Sequence, residues 1–287
     1  MKDVSVILVN YNTAQMTAEC IDSIFAQTSG VDFEVIVSDN ASKDGSRERL
    51  GADPRIRYIY NDGNLGFGRG NNEAIKIAEG RYLFLLNTDT LLLNNAIKTF
   101  YDYEEAHGGS LVLGCMMQDR EGRPTSSFGD LPTPCNALKG VLKGFIFNEF
   151  KFPVTDAAEK DVEMIVGADM FIPRAAFDAA GDFDPDFFMY FEEADLQKRM
   201  AQAGFRARII GGPQIVHFGG ASDPSPEKAA RMRYNYSESL FTYMRKHCSR
   251  IGYAAFRAAY AAIRVLPAAI KREDRATKRK FIKLLFS

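Results

Sequence analysis

The sequence predicts an α/β fold with a mostly parallel, Rossmann-like sheet flanked by helices. In the first half of the chain, short apolar runs alternate with segments that have helical spacing. This alternation is typical of strands joined by right-handed helical crossovers. The apolar runs are continuous, as expected of strands covered on both faces. Polar residues follow directly where several of these runs end, which is where open α/β sheets hold ligands.

The elements of the first part follow in chain order. Strands are predicted at 4–10, 33–40, 56–61 and 82–89, and helices within 14–27, 44–50 and 68–80. We expect the fourth strand to end at Asn87, so that Asp89 lies just beyond the buried sheet. A further strand is predicted at 110–116. Residues 118–160 predict a long loop with a short helix, because Gly, Pro and Phe occur there without periodicity.

Regular patterns return in the second half of the chain. The predicted elements are a strand near 164–172, a helix at 174–179, a helix from about 192 to 203, a strand near 206–210, and helices at 227–247 and 250–270. The chain is long enough for one large domain with a small appendage.

Charge is distributed unevenly although the formal net charge of the chain is only −1. From Arg245 to the end there are twelve Lys and Arg residues, against two acidic residues. An acidic body with a basic tail favours an anionic surface as the partner of the tail. Nucleic-acid binding is not expected, because no platform of basic and aromatic residues is visible in the body.

Several protein classes are disfavoured by the sequence. The four cysteines lack metal-finger or redox-motif spacing, which predicts reduced thiols in a cytosolic protein. The first apolar run is interrupted at Asn10 and Asn12, so no signal-peptide core is expected there. No uninterrupted apolar run reaches the ~18–20 residues of a membrane span. No glycine follows the first strand, which argues against a nicotinamide-dependent enzyme.

Two polar stretches follow the second and third predicted strands. Asp39, in "SDNASKDGS", could accept hydrogen bonds from a nucleobase or a ribose, or could simply shape a turn. The stretch "NDGNLGFGRGNN" opens a helix, and its glycines would let the backbone approach a phosphate closely. The alternative for this stretch is a glycine-rich turn without a ligand.

Asn87 and Asp89 supply hard oxygen atoms of the kind that Mg²⁺ and Mn²⁺ prefer when they bridge phosphates. The alternative is a helix N-cap. His217 lies between apolar neighbours and two glycines, and a metal role for it depends on a metal site nearby.

Three acidic residues, Glu192, Glu193 and Asp195, crowd the predicted start of one helix. Like charges raise one another's pKa, which helps to create a general base near neutral pH. Acidic residues in a first helical turn also interact favourably with the helix dipole, which is the structural alternative. Five such polar stretches at strand ends, in this order, are less expected by chance than any one of them.

Taken together, these stretches closely resemble the inverting family 2 glycosyltransferases of the GT-A fold, and within them bacterial rhamnosyltransferases of cell-surface polysaccharide assembly. The stretches that carry the resemblance are "VSVILVNYN", "SDNASKDGS", "NLGFGRGNN", "LLNTD", "GADMFIPRAAFDAAGDFDPDFFMYFEEADL" and "VHFGGAS". The resemblance covers roughly residues 3–222. It implies a catalytic domain at 1–222, with a nucleotide-sugar half of about 1–115 and an acceptor half of about 116–222, and a helical, basic extension at 223–287.

The resemblance also implies the reaction. It implies a nucleotide-diphosphate sugar as donor, a divalent metal ion (Mg²⁺ or Mn²⁺) and a single displacement with inversion. The expected donor is dTDP-rhamnose, with a UDP-sugar second, and the expected acceptor is a glycan or a polyprenyl-linked sugar.

Site residues are carried over by the same resemblance. Asn87–Thr88–Asp89 occupies the place of the D-x-D metal motif, so Asp89 would be the main ligand, with His217 completing the metal site. Glu193 would be the general base, with Glu192 or Asp195 as replacements. Asp39 would contact the base or ribose. The residues expected to bind the donor are Asn10, Asn12, Asp39, Asn64, Gly66, Gly68, Asn71 and Asn87.

The remaining expectations concern the C-terminal tail and two alternative functions of the protein. Residues 250–287 interleave aromatic residues with Arg and end in a basic run, which predicts an interfacial helix on the inner face of the cytoplasmic membrane. The alternative is a helix packed on the catalytic domain with a solvated basic end. A catalytically silent nucleotide-sugar or glycan-binding module is the second functional interpretation. A nucleotidyltransferase is the third, although "NYNTAQMT" lacks the basic, glycine-rich loop that it would need.

Overall fold

The computed structural model describes residues 2–146, 153–219, 226–270 and 275–286. The chain divides into two compact units, and each is described by itself. Unit 1 consists of Met1–Asp130, Phe152–Pro185 and Glu192–Ala221. Unit 2 consists of Leu131–Lys151, Asp186–Phe191 and Ser222–Ser287.

The strands all belong to unit 1. They are β1 (Lys2–Asn10), β2 (Phe33–Asp39), β3 (Arg57–Tyr60), β4 (Gly80–Leu86), β5 (Thr90–Leu92), β6 (Leu111–Cys115), β7 (Phe128–Gly129), β8 (Glu159–Val162), β9 (Met164–Ile165), β10 (Asp169–Pro173), β11 (Arg206–Ile210) and β12 (Ile215–His217). Within the described residues, eight of them form one sheet in the order β3-β2-β1-β4-β10-β6-β11-β8. Two short pairs, β5 with β12 and β7 with β9, lie outside it.

The helices belong to both units. They are α1 (Ala14–Gln27), α2 (Ser46–Gly51), α3 (Phe67–Ile75), α4 (Ala96–Ala106), α5 (Pro134–Ile146), α6 (Arg174–Ala180), α7 (Glu192–Gln202), α8 (Pro226–His247), α9 (Arg250–Ile270) and α10 (Arg275–Phe286). Helices α5, α8, α9 and α10 lie in unit 2, and the others lie in unit 1.

The predicted parallel arrangement is confirmed for the first four strands. β1 pairs in parallel with both β2 and β4, and β2 pairs in parallel with β3. In this register Asn10 lies opposite Asp39, and Asp39 lies opposite Tyr60. The carboxyl ends of neighbouring strands therefore meet at one edge, and the polar residues that follow them are brought together there.

The structure corrects three details of the predicted elements. The strand expected at 164–172 is two strands, β9 and β10, and β10 runs antiparallel to β4 and β6. Residues 90–92 form β5, which pairs with β12, where the sequence indicated no strand. The short helix expected within 118–160 is the 13-residue helix α5. Residues 147–152 of the same predicted loop lie outside the described residues.

Apolar side chains cover both faces of the sheet. On one face, Leu8, Phe84 and Phe171 belong to a buried cluster that also holds residues of α1 and α4. On the other face, Ile7 and Leu85 belong to a cluster with residues of α3, α6 and α7. Burying each such side chain contributes about 1.5–3 kcal/mol. Burial on both faces explains why the strand sequences are continuous apolar runs.

In unit 2, helices α8, α9 and α10 share a core of aromatic and aliphatic side chains. The ring centroid of Phe241 in α8 lies 5.0 Å from that of Tyr260 in α9. Phe281 and Leu285 of α10 are each only 2% exposed. The guanidinium of Arg257 donates hydrogen bonds to the carbonyls of Leu284 and Leu285, at 2.9 and 3.2 Å, near the end of α10. The predicted helices at 227–247 and 250–270 are thus confirmed, and the apolar face of α10 is packed.

None of the helices in the described part of the chain is long and apolar enough to cross a membrane.

Candidate active site

The loops that follow β1 and β2 are joined by buried polar groups. Asn10 donates from its amide to Asp39 Oδ2 and, at 3.1 Å, to Ser42 Oγ. The other carboxylate oxygen of Asp39 accepts from the backbone N–H of Ser42 at 2.7 Å. Asn10 and Asp39 are both fully buried. The carboxylate of Asp39 therefore holds the two loops in shape, and its predicted contact with a base or ribose stays a prediction.

Asn12 forms further hydrogen bonds between the loops after β1 and β2, closer to the solvent. Its backbone has a φ of 56°, in the left-handed region that Asn tolerates better than most residues. The N–H of Asn12 donates to Ser42 Oγ at 2.8 Å, and its side-chain oxygen accepts from the N–H of Lys43 at 2.7 Å. Asn12 and its neighbour Tyr11 are exposed, so both are open to a ligand at this edge.

The glycine-rich stretch after β3 divides into a loop and a packed helix. Asn64 accepts a hydrogen bond from the N–H of Gly66 at 3.0 Å, and Gly66 has a φ of 83°. A Cβ on Gly68 would lie 3.0 Å from the Cβ of Phe183, which indicates a close contact with that residue. Asn71 is 1% exposed and donates to Phe67 O at 3.0 Å within the helix. Asn64 thus lies at the surface, whereas Gly68 and Asn71 have packing roles.

The stretch Asn87–Thr88–Asp89 follows β4, which ends one residue earlier than predicted, at Leu86. The N–H of Asn87 donates to Ala168 O at 3.1 Å, and Thr90 Oγ1 donates to Asn87 O at 2.8 Å. Thr88 Oγ1 lies 3.2 Å from Thr13 Oγ1, which ties this stretch to the loop after β1. These bonds fix the backbone that presents Asp89.

His217 reaches Asp89 because β12 pairs with β5. In this antiparallel pair His217 lies opposite Thr90, and the N–H of Phe218 donates to Asp89 O at 2.9 Å. His217 Nε2 lies 3.3 Å from Asp89 Oδ1 and 3.4 Å from Asn87 Nδ2. The side chains of His217 and Asp89 are each 15% exposed, so solvent and ligands can reach both.

Asp89 and His217 fit a divalent cation that is shared with a substrate. Among the residues that the structure describes, no group of three or more His, Cys, Asp or Glu side chains could hold a metal ion by itself. A cation of the Mg²⁺ type commonly takes only one or two protein ligands and completes its shell with phosphate oxygens and water. A carboxylate and an imidazole within 3.3 Å of each other match that requirement.

The acidic residues at the start of α7 have different surroundings. Glu192 is 3% exposed, and its Oε2 has no hydrogen-bond partner within the described residues. Burial, and then the charge of Glu193, raises the pKa of Glu192 well above its usual value. Glu193 is half-buried, and its Oε2 is shielded from solvent. Burial therefore favours the neutral form of Glu192.

Asp195 has a structural partner. Its carboxylate accepts a hydrogen bond from Arg199 Nε at 2.9 Å and lies 2.8 Å from Nη2 of the same guanidinium. Arg199 also donates to the carbonyls of Ala180, Gly181 and Asp182. Asp195 therefore fixes the turn after α6, and this makes Asp195 the least suited of the three to take a proton from a substrate.

Gln197 was not singled out in the sequence, yet it fixes the position of α7. Its amide accepts from the N–H of Ile165 at 2.7 Å and donates to Ile165 O at 2.7 Å. The segment that begins at Ile165 passes Gly167, where an added Cβ would lie 3.8 Å from the Cβ of Glu193. The next residue is Ala168, whose carbonyl holds Asn87. One short segment thus lies between the helix of Glu193 and the stretch of Asp89.

The sequence model described as glycosyl transferase family 2 matches residues 5–178 of this chain, which is more than half of its length. The chain belongs to glycosyl transferase family 2. The chain also carries Glu192, Glu193 and His217, which lie beyond the matched residues.

Several curated relatives resemble this chain at modest identity. The low-salt glycan biosynthesis hexosyltransferase Agl10 of Haloferax volcanii is 29% identical over 220 residues, which cover 75% of this chain and 66% of the relative. The N-acetylglucosaminyl-diphospho-decaprenol L-rhamnosyltransferase of Mycobacterium tuberculosis is 23% identical over 223 residues, 70% of this chain and 73% of the relative. The rhamnosyltransferase WbbL of Escherichia coli is 23% identical over 225 residues, 75% of this chain and 83% of the relative.

A solved structure confirms the fold class. The crystal structure of GalNAc-T7 with UDP, GalNAc and Mn²⁺ superposes with a TM-score of 0.63 at 16% identity. The superposition covers 100% of this chain and 55% of that chain. The chain thus spans just over half of the solved protein and about two-thirds of Agl10. The chain has the predicted GT-A fold, with a mostly parallel sheet flanked by helices and a helical C-terminal part.

Proposed function

We propose that this glycosyltransferase moves a sugar, with inversion, from a nucleotide-diphosphate donor to a hydroxyl group of a glycan or lipid-linked acceptor. One observation carries the proposal. Asp89 and His217 come together at 3.3 Å beside the ordered loops at the carboxyl ends of β1 and β2. In open α/β sheets this edge is where nucleotides bind. We further propose that residues 1–222 form the catalytic domain, with a nucleotide-sugar half at about 1–115 and an acceptor half at about 116–222. Residues 223–287 would form an extension.

Donor binding is assigned to the loops after β1, β2 and β3. Asn12 and Asn64 are the exposed members of the predicted donor-binding set, and Asn10 and Asp39 hold the loops that carry them. Asp89 and His217 would hold Mg²⁺ or Mn²⁺, and the bound cation would neutralise charge on the leaving diphosphate. The existing hydrogen bonds mean that these loops need little reorganisation when the donor binds.

Glu193 is assigned as the general base. As the acceptor oxygen forms its bond to the anomeric carbon, the bond from that carbon to the diphosphate oxygen breaks, and the hydroxyl proton passes to the Glu193 carboxylate. Attack from the face opposite the leaving group inverts the anomeric configuration, as in inverting glycosidases with water as the nucleophile. The raised pKa of Glu192 favours its neutral form, and the proton-accepting role is therefore assigned to Glu193.

The sugar is proposed to be rhamnose, from dTDP-rhamnose, with a UDP-sugar as the second choice. Two of the relatives above are named rhamnosyltransferases, and one of them is named for a lipid-linked, diphosphate-bearing acceptor. Such an acceptor would place the reaction in bacterial cell-surface polysaccharide synthesis.

The C-terminal unit is proposed to lie at the inner face of the cytoplasmic membrane. Helix α10 carries the basic residues Lys278, Arg279, Lys280 and Lys283. Ile251 and Phe286 are 84% and 68% exposed, which leaves apolar side chains available to an interface. Anionic lipid would attract the basic residues by about 1 kcal/mol each.

A thermal-shift panel tests the function directly. The panel compares thymidine and uridine diphosphates and their sugar derivatives, with and without Mn²⁺. A ligand at about 100 times its dissociation constant should add about 2.7 kcal/mol of stability. A metal-dependent shift with one base would support the donor site and identify the base. No shift with any nucleotide would overturn the donor proposal and leave a catalytically silent module on the same fold.

A further inference from the structure

A short hairpin between β6 and β7 carries Arg120. Within it, the N–H of Asp119 donates to Arg123 O at 2.8 Å, and the N–H of Gly122 donates to Asp119 O at 3.1 Å. Gly122 has a φ of 78°, which lets the chain turn back at that point. Residues 118–124, which pair at their two ends, are called the β6–β7 hairpin below. Its backbone is held by these bonds, although the side chain of Arg120 is exposed.

Backbone hydrogen bonds attach the β6–β7 hairpin to β12, the strand of His217. The N–H of Gln118 donates to Ile215 O at 3.0 Å, and Gln118 O accepts from the N–H of His217 at 2.8 Å. The next residue of the chain, Phe218, donates its N–H to Asp89 O at 2.9 Å. The hairpin, His217 and Asp89 are thus joined through one short strand, and all of them belong to unit 1.

The side chain of Arg120 reaches from the hairpin to Phe218. The central carbon of its guanidinium lies 4.3 Å from the centroid of the Phe218 ring, which is a cation–π contact. This contact holds the guanidinium at the residue that directly follows His217. It does not neutralise the positive charge, because the ring carries no net charge. The N–H donors of the guanidinium therefore remain able to bind an anion.

The acidic neighbours of Arg120 are paired with another residue. Asp119 and Glu121 flank Arg120 in the chain, but Arg123 Nε lies 2.7 Å from Asp119 Oδ2, and Arg123 Nη2 lies 2.8 Å from Glu121 Oε2. Among the residues that the structure describes, Arg120 has no acidic partner. The β6–β7 hairpin therefore presents one positive charge that its own carboxylates do not offset.

We propose that Arg120, held on Phe218, binds a diphosphate group beside Asp89 and His217. The planar, forked donors of an arginine match phosphate oxygens in pairs, and such charge-assisted hydrogen bonds are about twice as strong as neutral ones. This inference rests on the proposed function and deepens it, because it names a side chain that recognises the charge of a substrate. Two substrates of the proposed reaction bear a diphosphate, the nucleotide donor and a lipid-linked acceptor, and the experiment distinguishes them.

Two substitutions at Arg120 separate its charge from its shape. Arg120→Gln removes the charge, whereas Arg120→Lys keeps the charge and loses the planar fork. Because Arg120 is exposed, neither substitution should disturb the fold.

Arg55→Gln is the matched control. Arg55 also contacts an aromatic ring, with its guanidinium carbon 5.1 Å from the centroid of Phe25. Unlike Arg120, it pairs with acidic residues, and its Nη2 lies 2.7 Å from both Asp22 Oδ1 and Asp53 Oδ2. It precedes β3 and so lies near the amino ends of the parallel strands, away from the edge where nucleotides bind.

Calorimetric titration of the full chain measures the dissociation constants of two probes. The first probe is thymidine or uridine diphosphate with Mn²⁺, whichever binds the wild type more tightly. The second is geranyl diphosphate, a short isoprenoid diphosphate that represents the lipid-linked acceptor, titrated into protein saturated with the first probe.

We expect Arg120→Gln to weaken the binding of the diphosphate that Arg120 contacts by about tenfold, and Arg120→Lys to weaken it less. Arg55→Gln should bind both probes as the wild type does. A loss for the nucleotide would identify the donor as the ligand of Arg120, and a loss for geranyl diphosphate would identify the acceptor.

Unchanged binding of both probes by Arg120→Gln would overturn the inference, as would an equal loss in Arg55→Gln. A wild type that binds neither nucleotide would count against the proposed function instead. Geranyl diphosphate alone still tests Arg120 in that case, because equal results for the wild type and Arg120→Gln would show that Arg120 does not bind a diphosphate.

Discussion

Asp39 and Glu192 are both buried carboxyl groups of unit 1, but their surroundings differ. Asp39 accepts hydrogen bonds on both oxygens, from Asn10 and from the backbone of Ser42. Glu192 has an oxygen without a hydrogen-bond partner in the described structure, and its pKa is raised by burial and by Glu193. A buried carboxylate with full partners rigidifies its surroundings, whereas one without them favours the neutral form. In the proposed function, the loops held by Asp39 form a fixed donor-binding side, and the acidic pair at the start of α7 forms a proton-transferring side.

The largest expected effect belongs to the proton-transferring side. Glu193→Gln should lower kcat by about 10²–10⁴, because the carboxylate that accepts the hydroxyl proton is lost. Steady-state transfer assays measure it. Glu192→Gln is the matched control and should cost far less, because the raised pKa of Glu192 favours a neutral side chain, which glutamine also has. Near-normal turnover in Glu193→Gln with intact donor binding would identify Glu192 as the general base instead, because the carboxylate of Asp195 is paired with Arg199.

Asp89→Asn tests the binding side at the metal ligands. The variant should lose the Mn²⁺-dependent part of the nucleotide-induced stabilisation, about 2.7 kcal/mol at 100 times the dissociation constant. The reason is that the carboxylate carries the charge that holds the cation. Thermal shift with and without Mn²⁺ measures the loss. Asp119→Asn, in an exposed turn where Asp119 pairs with Arg123, is the control and should keep the full shift. A full shift in Asp89→Asn would exclude Asp89 as the main ligand.

Asp39→Ala tests the rigid network on the binding side. It leaves the Ser42 N–H buried without its acceptor and removes one of the two acceptors of the Asn10 amide, and an unpaired buried group costs about 1–3 kcal/mol. Urea unfolding should show this loss in the free energy of unfolding. Asp32→Ala removes an exposed carboxylate that pairs with Lys2 and should cost less than about 1 kcal/mol. Equal losses in the two variants would show that the Asp39 network is not the rigid element described here.

The last prediction concerns the pH dependence of stability that comes from Asp169 at the start of β10. Burial raises the pKa of Asp169 to about 8, so the folded protein holds a proton there that the unfolded chain releases near pH 4. Its contribution to stability is therefore full below about pH 4 and is lost as the pH rises toward about 8. Asp169→Asn should reduce this decline by up to about 1.4 kcal/mol per pH unit.

Chemical unfolding at several pH values between 4 and 9 measures the effect of Asp169→Asn. Some decline should remain in the variant, because burial also raises the pKa of Glu104 to about 8. Parallel curves for the wild type and the variant would show that Asp169 does not titrate as described.

The sequence predicted those parts of the site that depend on local pattern. Polar residues directly after the apolar runs of β1, β2 and β4 marked the ligand edge, and the positions of Asp39 and Asp89 followed from it. The antiparallel direction of β10 was not predictable, because a continuous apolar run does not encode which way its strand points.

Other features depend on contacts between distant residues. The pairing of β5 with β12, which brings His217 to Asp89, joins segments far apart in the chain. The left-handed backbone at Tyr190 and Phe191 runs against the preference of aromatic residues for extended structure, and both rings contact Tyr236 of α8. The hydrogen bonds of Gln197 to Ile165 likewise left no mark in the sequence pattern.

Calorimetric titration of thymidine and uridine diphosphates with Mn²⁺ into the wild type, Asp89→Asn and Glu193→Gln tests the division between binding and proton transfer most directly. We predict that Glu193→Gln binds the preferred nucleotide within about twofold of the wild type, whereas Asp89→Asn binds it at least about tenfold more weakly, which corresponds to about 1.4 kcal/mol. Equal loss of binding in both variants, or no binding by the wild type, would contradict this account.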